Sequence, residues 1–212
     1  MMAIRPAIVA GRRTQSLNQI RNICLALHSY QADYGVLPPA FVADKDGKPM
    51  HSWRVLILPY LDEESLYKEY DFSEPWDGPN NSRLLARMPP IYRCPSHPES
   101  SARTNTSYAG VFGEHCVFRG ADPVALDEIT DGFGNTLIVG EVKSSIPWLK
   151  PEDVDIKLHP AIGPVGGFGS YEVEGAAFAF VDGRVLYISE STPQQTLDAL
   201  YTRDGQDRVE DF

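Results

Sequence analysis

The chain has 212 residues, of which 42% are hydrophobic and 10% aromatic, so it has enough apolar residues for a folded core. Its formal net charge of −10 argues against a general nucleic-acid binder, because contacts to phosphates need a basic face. The sequence contains no run of about eighteen apolar residues that would span a membrane, and its start, MMAIRPAIVAG, lacks the apolar core of a signal peptide. We therefore expect either a protein that is not exported or a body whose membrane-anchoring front is missing.

The charge is unevenly distributed along the chain. Residues 1–34 carry four Arg and one Asp, whereas residues 62–74 carry six acids and one Lys. A basic helix foot beside an acidic body favours contact with an anionic surface at one end. Ordinary solvated charge is the alternative.

A long helix is the first predicted element, and it covers residues 12–34. Apolar residues recur there at steps of three and four, which places them on one stripe of a helix. The stripe consists of Leu17, Ile20, Cys24, Leu27, Tyr30 and Tyr34. Gly35 and Pro38-Pro39 end it. A helix that began at Arg5 would be ~45 Å long, more than a small domain needs for its core, so its first half is expected to make contacts outside the domain.

Short helices are predicted in a turn-rich connector over residues 35–105. Their expected caps are Ser52 for a helix from Trp53 to about Leu58, Asp62 for the next helix, and Asn81 or Ser82 for a third that Pro89-Pro90 closes. Residues 91–94 are predicted to form a short strand.

Strands are predicted from residue 106 onward. Residues 106–113 and 135–142 are rich in β-branched and aromatic residues, and the Pro- and Gly-rich stretch 143–175 is predicted to be irregular. Asp182-Gly183 lies between two apolar runs and predicts a two-residue type I′ hairpin. Thr192 is expected to cap a closing helix. Because strands do not alternate with helices, the sequence predicts a single α+β domain over 1–212, divided into the helix (1–34), the connector (35–105) and an antiparallel sheet with a long loop and a closing helix (106–212).

These segments resemble, in this order, a family of unknown-function proteins described from planctomycetes and once labelled a solute-binding family. Its members carry a prepilin-type N-terminus and a C-terminal His-x9-Asp-Gly element. The matching pieces cover most of residues 10–205 and include RRTQSLNQIRNICLALHSYQADYGVLPP, SWRVLILPYLDEESLYKEYDFSEPWDGPNN, RCPS, TSYAGVFG, TDGFGNTLIVGEV, PW and FAFVDGRVLYIS. The motif positions expected to be structural are Trp53, Arg54, Pro59, Tyr60, Arg93, Cys94, Pro95, Asp182 and Gly183.

The resemblance implies a type IV pilin-like architecture, in which an apolar half of the N-terminal helix anchors in a membrane or a fibre and the other half packs on a sheet. The sequence carries neither that apolar half nor a prepilin cleavage site, so it is expected to be the soluble body of such a protein. Glu172 stands ten residues before Asp182, where the family has His, so no role of that His is carried over.

Cys94, His97, His115 and Cys116 are the Cys/His cluster of the sequence. Zinc would need four converging ligands, but adjacent residues of an extended chain point to opposite faces. A Cys94–Cys116 disulfide in an exported protein would contribute on the order of 3 kcal/mol by closing a loop of about twenty residues. Two free thiols are the other alternative.

Acidic residues suggest calcium at two places without completing a dedicated loop. Asp71, Glu74, Asp77 and the group Asp127–Asp131 resemble the calcium loops of some pseudopilins. They lack the D-x-[DN]-x-[DN]-G order, and turn or capping roles are the alternative. No activated nucleophile or catalytic motif is present, so we expect neither a cofactor nor enzymatic activity.

Two functions remain from the sequence. The first is a non-enzymatic, pseudopilin-like body that acts in protein–protein assembly at the cell envelope, on the periplasmic or extracellular side. Its expected interaction surface consists of Arg12, Arg13, Arg21, Trp76 and Trp148. The second is an extracytoplasmic module that binds a small molecule between the aromatic loops and the 143–175 stretch. The alternative is that the aromatic side chains of these loops are core residues that pack the short helices against the sheet.

Overall fold

The computed structural model describes residues 4–97, 103–143, 145–163, 166–171 and 174–206. The helices are α1 (Ile4–Tyr34), α2 (Trp53–Leu56), α3 (Glu64–Glu69) and α4 (Gln194–Tyr201). The strands are β1 (Phe41–Ala43), β2 (Pro49–Ser52), β3 (Tyr108–Phe112), β4 (Leu137–Glu141), β5 (Val154–Asp155), β6 (Gly175–Phe180) and β7 (Val185–Ser189). The predicted α+β class, with a long N-terminal helix on a sheet, is confirmed and is consistent with a pilin-like fold.

The main sheet has five strands in the order β5-β3-β4-β6-β7. Strands β3, β4, β6 and β7 pair antiparallel, as predicted, but β5 joins parallel to β3, so the sheet is mixed. A second sheet, formed by β1 and β2, lies in residues 41–52 of the connector, for which only turns were predicted. Both differences depend on pairing between segments that carry little strand signal of their own.

The core lies on both faces of the main sheet. Alternate residues of β6 face opposite sides, as the pleat requires. Ala177 and Ala179 belong to the hydrophobic cluster that contains the buried stripe of α1. Phe178 and Phe180 belong to the cluster that contains Leu197 and Leu200 of α4. The small side chains on the α1 side leave room for the helix to approach the sheet closely.

Between residues 7 and 34 of α1, burial is confined to the part of the helix that begins at Ser16. Ile20, Cys24 and Leu27 are buried as predicted, together with Ser16, Ile23 and Ala26. Tyr34 was predicted to be buried but is 61% exposed, because it lies in the last helical turn and its ring stacks on Tyr30 at 4.3 Å between ring centroids. Residues 7–15 are all exposed. The helix therefore extends beyond its own core by more than two turns.

The end of α1 is fixed by the predicted glycine and by contacts to β6. Gly35 has a φ of +78°, the left-handed value that favours glycine, and its N–H donates to the Gln31 carbonyl at 2.8 Å. Nε2 of His28 lies 2.7 Å from the Val181 carbonyl, just beyond the strand. These bonds align the buried half of the helix with the sheet.

The connector is more tightly wound than predicted. Ser52 caps α2 as expected, and its side chain accepts from the Arg54 N–H. Asp62 does not begin the next helix; it has a φ of +60° at the end of a 3₁₀ turn over Leu58–Leu61. The strand predicted over 91–94 is wrong, because Pro90–Tyr92 forms a 3₁₀ turn in which the N–H groups of Tyr92 and Arg93 donate to the Pro89 and Pro90 carbonyls at 3.0 and 3.1 Å.

Asn81 and Thr192 were both predicted to be helix caps, but neither side chain caps a helix start. The Asn81 amide instead bonds the loop before it, accepting from Asp71 N–H at 2.9 Å and donating to the Asp71 carbonyl at 2.8 Å. Helix α4 begins after Pro193 without a side-chain cap.

The predicted hairpin forms, but with a longer loop than a type I′ turn. Ala179 pairs with Val185, and the Phe180 N–H donates to the Arg184 carbonyl at 2.9 Å. Three residues therefore form the loop, and only Gly183 among them has a positive φ, +86°. This is the three-residue arrangement, a type I turn followed by a left-handed residue. The Asp182 carboxylate favours it, because Oδ1 accepts from the Arg184 N–H at 2.9 Å.

No helix in the described part of the chain is both long enough and apolar enough to cross a bilayer.

We expect Leu27→Ala to lower the free energy of unfolding by about 2–5 kcal/mol, because it truncates a side chain that is 0% exposed. Leu25→Ala is the matched control on the same helix; Leu25 is 56% exposed, and the expected loss is below about 0.5 kcal/mol. Urea unfolding of both variants measures the difference. Equal losses would contradict the packing of α1 on the sheet.

Candidate functional site

Arg54 is a fully buried arginine that joins three segments of the chain. It follows Trp53 at the start of α2, inside an otherwise apolar run. Its Nε and Nη2 donate to the Tyr108 carbonyl of β3 at 3.2 and 3.1 Å, and Nη1 donates to Oγ of Ser52 at 2.9 Å. Nη1 also donates to the Glu152 carbonyl at 3.3 Å. The guanidinium thereby satisfies backbone groups that no regular element pairs.

Asp153, about a hundred residues later in the chain, neutralises the charge of Arg54. Its Oδ1 lies 2.7 Å from Nη2 of Arg54, and its side chain is only 2% exposed. The same oxygen accepts from the Gly110 N–H at 2.7 Å, and both carboxylate oxygens lie 3.1 Å from Nε1 of Trp53. A buried pair is stable when further hydrogen bonds satisfy both partners, and here three groups donate to the carboxylate: the Arg54 guanidinium, the Gly110 N–H and the Trp53 indole N–H. The pair thus holds the 150–155 segment against β3 and α2.

A cavity of about 450 Å³ lies beside this pair. Three parts of the chain form its walls: residues 40–49 around β1 and β2, the end of β3, and the irregular stretch after residue 145. The lining residues are Ala40, Phe41, Pro49, Phe112, Ile146, Pro151, Glu152, Asp153, Asp155, Leu158, His159 and Gly166. Its size falls in the range of about 300–1,000 Å³ typical of small-molecule sites, and most of its lining is apolar.

A second polar cluster lies under the point where α1 leaves the body. Glu141, at the end of β4, is fully buried, and its Oε1 accepts from the Cys94 thiol at 3.1 Å. Its Oε2 lies 3.4 Å from the Tyr187 hydroxyl. Nearby, the Tyr108 hydroxyl donates to Oε1 of Gln19 at 2.9 Å and lies 3.0 Å from the hydroxyl of Ser16. Ser16 and Gln19 of α1 therefore contact the sheet through the Tyr108 hydroxyl.

Burial changes the acidity of this cluster. Removal from water raises the pKa of Glu141 above its ordinary value, against the hydrogen bonds that lower it. Burial, and then the neighbouring Glu141 carboxyl, raise the pKa of Cys94 to about 12. The thiol is therefore protonated at neutral pH and donates its hydrogen bond to Glu141. Because the thiolate is the reactive form of cysteine, Cys94 is unreactive in this state.

Of the alternatives left open for Cys94 and Cys116, the structure has two free thiols and not the disulfide. Cys24, Cys94 and Cys116 are free and buried. Cys94 points to Glu141 in the cluster under α1, whereas Cys116 belongs to the cluster on the opposite face of the sheet. The sheet between them prevents the bond.

The structure also separates the two histidines of the Cys/His cluster. Nδ1 of His115 lies 3.0 Å from Oδ1 of Asp204, while Nε2 of His97 lies 3.4 Å from the Tyr171 hydroxyl. In the described ranges, no three His, Cys, Asp or Glu side chains converge as a metal site.

Glu74 and Asp131, two of the acids that suggested calcium, accept hydrogen bonds from backbone N–H groups. Oε1 of Glu74 accepts from the N–H groups of Asn80 and Asn81, both at 2.7 Å. Asp131 accepts from the N–H groups of Gly205 at 2.8 Å and Gln206 at 2.6 Å, which fastens the segment after α4. These are the turn and capping roles that were the alternative.

Trp148 and Arg13, both expected on an interaction surface, pack against the body of the chain. Trp148 is fully buried, so its assignment to the surface is wrong; its Nε1 donates to the Leu85 carbonyl at 3.2 Å and its ring stacks on Tyr92. The guanidinium of Arg13 lies 4.1 Å from the ring centre of Tyr187. Arg12, Arg21 and half-buried Trp76 remain at or near the surface, and Arg21 bonds to Asn18 one turn away.

The remaining motif residues have structural positions. Pro59 and Tyr60 form the 3₁₀ turn that packs against α1, where the Tyr60 hydroxyl donates to Asp33 at 2.7 Å. Arg93, Cys94 and Pro95 line a shallow cavity of about 300 Å³ beside Gln15 and Gln19. Glu172, which stands at the position of the family's histidine, lies outside the described residues.

Sequence reasoning missed Asp153, Asp155 and Glu141. Asp153 and Asp155 lie in a charged stretch, KPEDVD, that is typical of an exposed loop. Two signals were present: an arginine inside the apolar run WRVLIL and a glutamate inside the strand LIVGEV. A charge in such a run needs a buried partner, although its position in the chain does not say which.

The sequence profile of a family described as "Protein of unknown function (DUF1559)", with the short name SBP_bac_10, matches residues 6–161. No curated protein and no solved structure matches the chain.

We expect Asp153→Ala to destabilise the fold by about 3–5 kcal/mol, because it leaves the buried Arg54 charge without its partner. Asp153→Asn should lose less, since it keeps an acceptor for Trp53 and Gly110. Glu69→Ala, which breaks the exposed pair with Arg87, is the control and should change stability little, because water screens that pair. Chemical denaturation compares the three variants. A small loss for Asp153→Ala would show that the pair does not hold the fold.

Glu141 should make the protein less stable as the pH rises. Its folded pKa is raised, so the folded state binds this proton more tightly than the unfolded chain. That contribution is fully present below the unfolded pKa, 4.5, and is lost as the pH rises through the folded pKa. Glu141→Gln removes the titration and keeps the shape. We expect the stability of the native protein to fall relative to that of the variant as the pH rises from 4.5 through the raised folded pKa. A constant difference over that range would contradict this.

Proposed function

The chain belongs to the family of proteins of unknown function DUF1559, and from this premise we propose that it is a pseudopilin-like body that acts by protein–protein assembly at the cell envelope. In this role the body lies on the periplasmic or extracellular side, is membrane-anchored in the full-length protein, and works through its surfaces without a cofactor or catalysis. The proposed partners are pilin-like proteins, further copies of this chain included.

One observation carries this proposal: α1 extends past its own core. Residues 7–15 are exposed along their whole length, although the helix is continuous from Ile4 to Tyr34. A helical segment of fewer than about 12–15 residues has little stability in water without packing. Exposed Ile8 and Val9 provide apolar surface for a partner, and Arg12 adds positive charge beside them.

The Arg13 contact supports the same surface. Its guanidinium rests on Tyr187 of the edge strand β7 and so connects the emerging helix to the body. A fixed helix direction costs less entropy on assembly than a free one would. The segment therefore suits a role as a rigid arm.

Photo-crosslinking of the full-length protein in its own cells tests the proposal. A photoreactive residue at Val9 should crosslink to pilin-like partners or to further copies of the chain, because this position lies on the arm. The same residue at Leu25, exposed on the body half of α1, is the matched control and should give few crosslinks. Arg12→Glu should reduce the Val9 crosslinks, whereas Lys68→Glu on α3 should not. Equal crosslinking from Val9 and Leu25 would overturn the assembly role.

A second candidate function, the binding of a small molecule, is favoured by the cavity of about 450 Å³. The irregular stretch that the sequence singled out supplies much of its wall. The short name of the family accords with this alternative. The aromatic residues Trp53 and Trp148 do not line the cavity; they are core residues.

A further inference from the structure

The cavity beside Asp153 has an apolar body. Phe41 and Pro49 form one wall from the small sheet, and Phe112 and Ile146 form another. Leu158 lies at the rim, where 73% of it is exposed. Such a lining favours a ligand with an apolar portion, since burial of that portion drives binding.

The charged groups of the lining are mainly acidic. Glu152, Asp153 and Asp155 contribute carboxylates, and His159 is the only basic residue among the lining residues that the structure describes. Asp153 is neutralised by Arg54, and Glu152 pairs with Lys150.

Asp155 keeps its charge uncompensated. Its Oδ1 accepts from the Lys157 N–H at 2.8 Å, but within the described ranges it makes no ion pair. The ammonium of Lys157 is directed to Glu114 instead, at 3.7 Å, and is largely exposed. The cavity therefore combines apolar walls with one unpaired carboxylate.

We propose that this cavity binds a small organic cation, an ammonium group carried on an apolar body. The proposal rests on the second candidate function and names its ligand class. The ammonium pairs with Asp155, and the apolar body lies between Phe41 and Phe112, whose rings also attract a nearby cation. A carboxylate or phosphate ligand would meet the unpaired Asp155 carboxylate and no Lys or Arg in the lining, so its burial would be opposed.

Three probes of nearly equal shape separate the ligand classes. Phenethylamine is the cation, phenethyl alcohol the neutral analogue and phenylacetate the anion. Binding to the whole protein is measured by titration calorimetry and by NMR shifts of the cavity residues. We expect phenethylamine to bind about tenfold or more tightly than either analogue, and its affinity to fall with added salt.

Two substitutions place the cation in the cavity. Asp155→Asn keeps the acceptor for the Lys157 N–H and removes the charge, so it should weaken phenethylamine binding about tenfold and leave phenethyl alcohol unchanged. Asp71→Asn is the matched control, because Asp71 accepts a similar local N–H, from Ser73, away from the cavity. Leu158→Lys puts a cation at the exposed rim and should also weaken amine binding, while Leu158→Gln should not.

The outcomes distinguish the ligand class from the function. Equal binding of all three probes, or preferred binding of phenylacetate, would overturn the cation and leave a small-molecule site. Binding that Asp71→Asn weakens as much as Asp155→Asn would overturn the assignment to Asp155. If none of the probes binds, the binding function and the cation proposal both fail, and the assembly role stands on its own test.

Discussion

The burial of the Arg54 guanidinium is the constraint on which much of this structure depends. An arginine removed from water must find a counter-charge and acceptors for its N–H groups. It finds them in Asp153, Ser52 and the carbonyls of residues 108 and 152. Residues 151–153 have no regular structure, and this pair, with the Trp53 and Gly110 hydrogen bonds, fixes them to the sheet beside the short pairing of β5 with β3. Strand β5 and the cavity wall follow directly after these residues in the chain.

This arrangement explains why a Pro- and Gly-rich stretch can form part of a cavity. Irregular backbone leaves polar groups without partners, and such segments usually lie on the surface. Here the Arg54 side chain supplies the missing donors to the Glu152 carbonyl, and the short parallel pairing of β5 with β3 supplies others. The result is a wall held by polar bonds on one side and left open to the cavity on the other.

Helix α1 connects the two functional proposals, because its two halves meet different environments. The half from Ser16 to Leu27 packs on small side chains of the sheet, above the buried carboxyl of Glu141. The half before it is exposed and is joined to the body through Arg13 and Tyr187. Assembly along this arm and ligand binding in the cavity use separate surfaces, so one does not exclude the other. Cys94, which is buried and protonated beside Glu141, contributes to the packing under the buried half of α1.

The sequence by itself determined the features that depend on neighbours in the chain. The spacing of Ile20, Cys24 and Leu27 predicted the buried face of α1, Gly35 its end, and Ser52 the start of α2, because periodicity and capping are local properties. The hairpin was predicted too, although its loop is longer because the Asp182 carboxylate bonds to the backbone of Arg184. Only the tertiary structure decided which residues meet across long separations. It pairs Asp153 with Arg54, brings Cys94 to Glu141 rather than to Cys116, and places Asp155 in a cavity. Contacts between residues this far apart in the chain follow from the packing of whole elements.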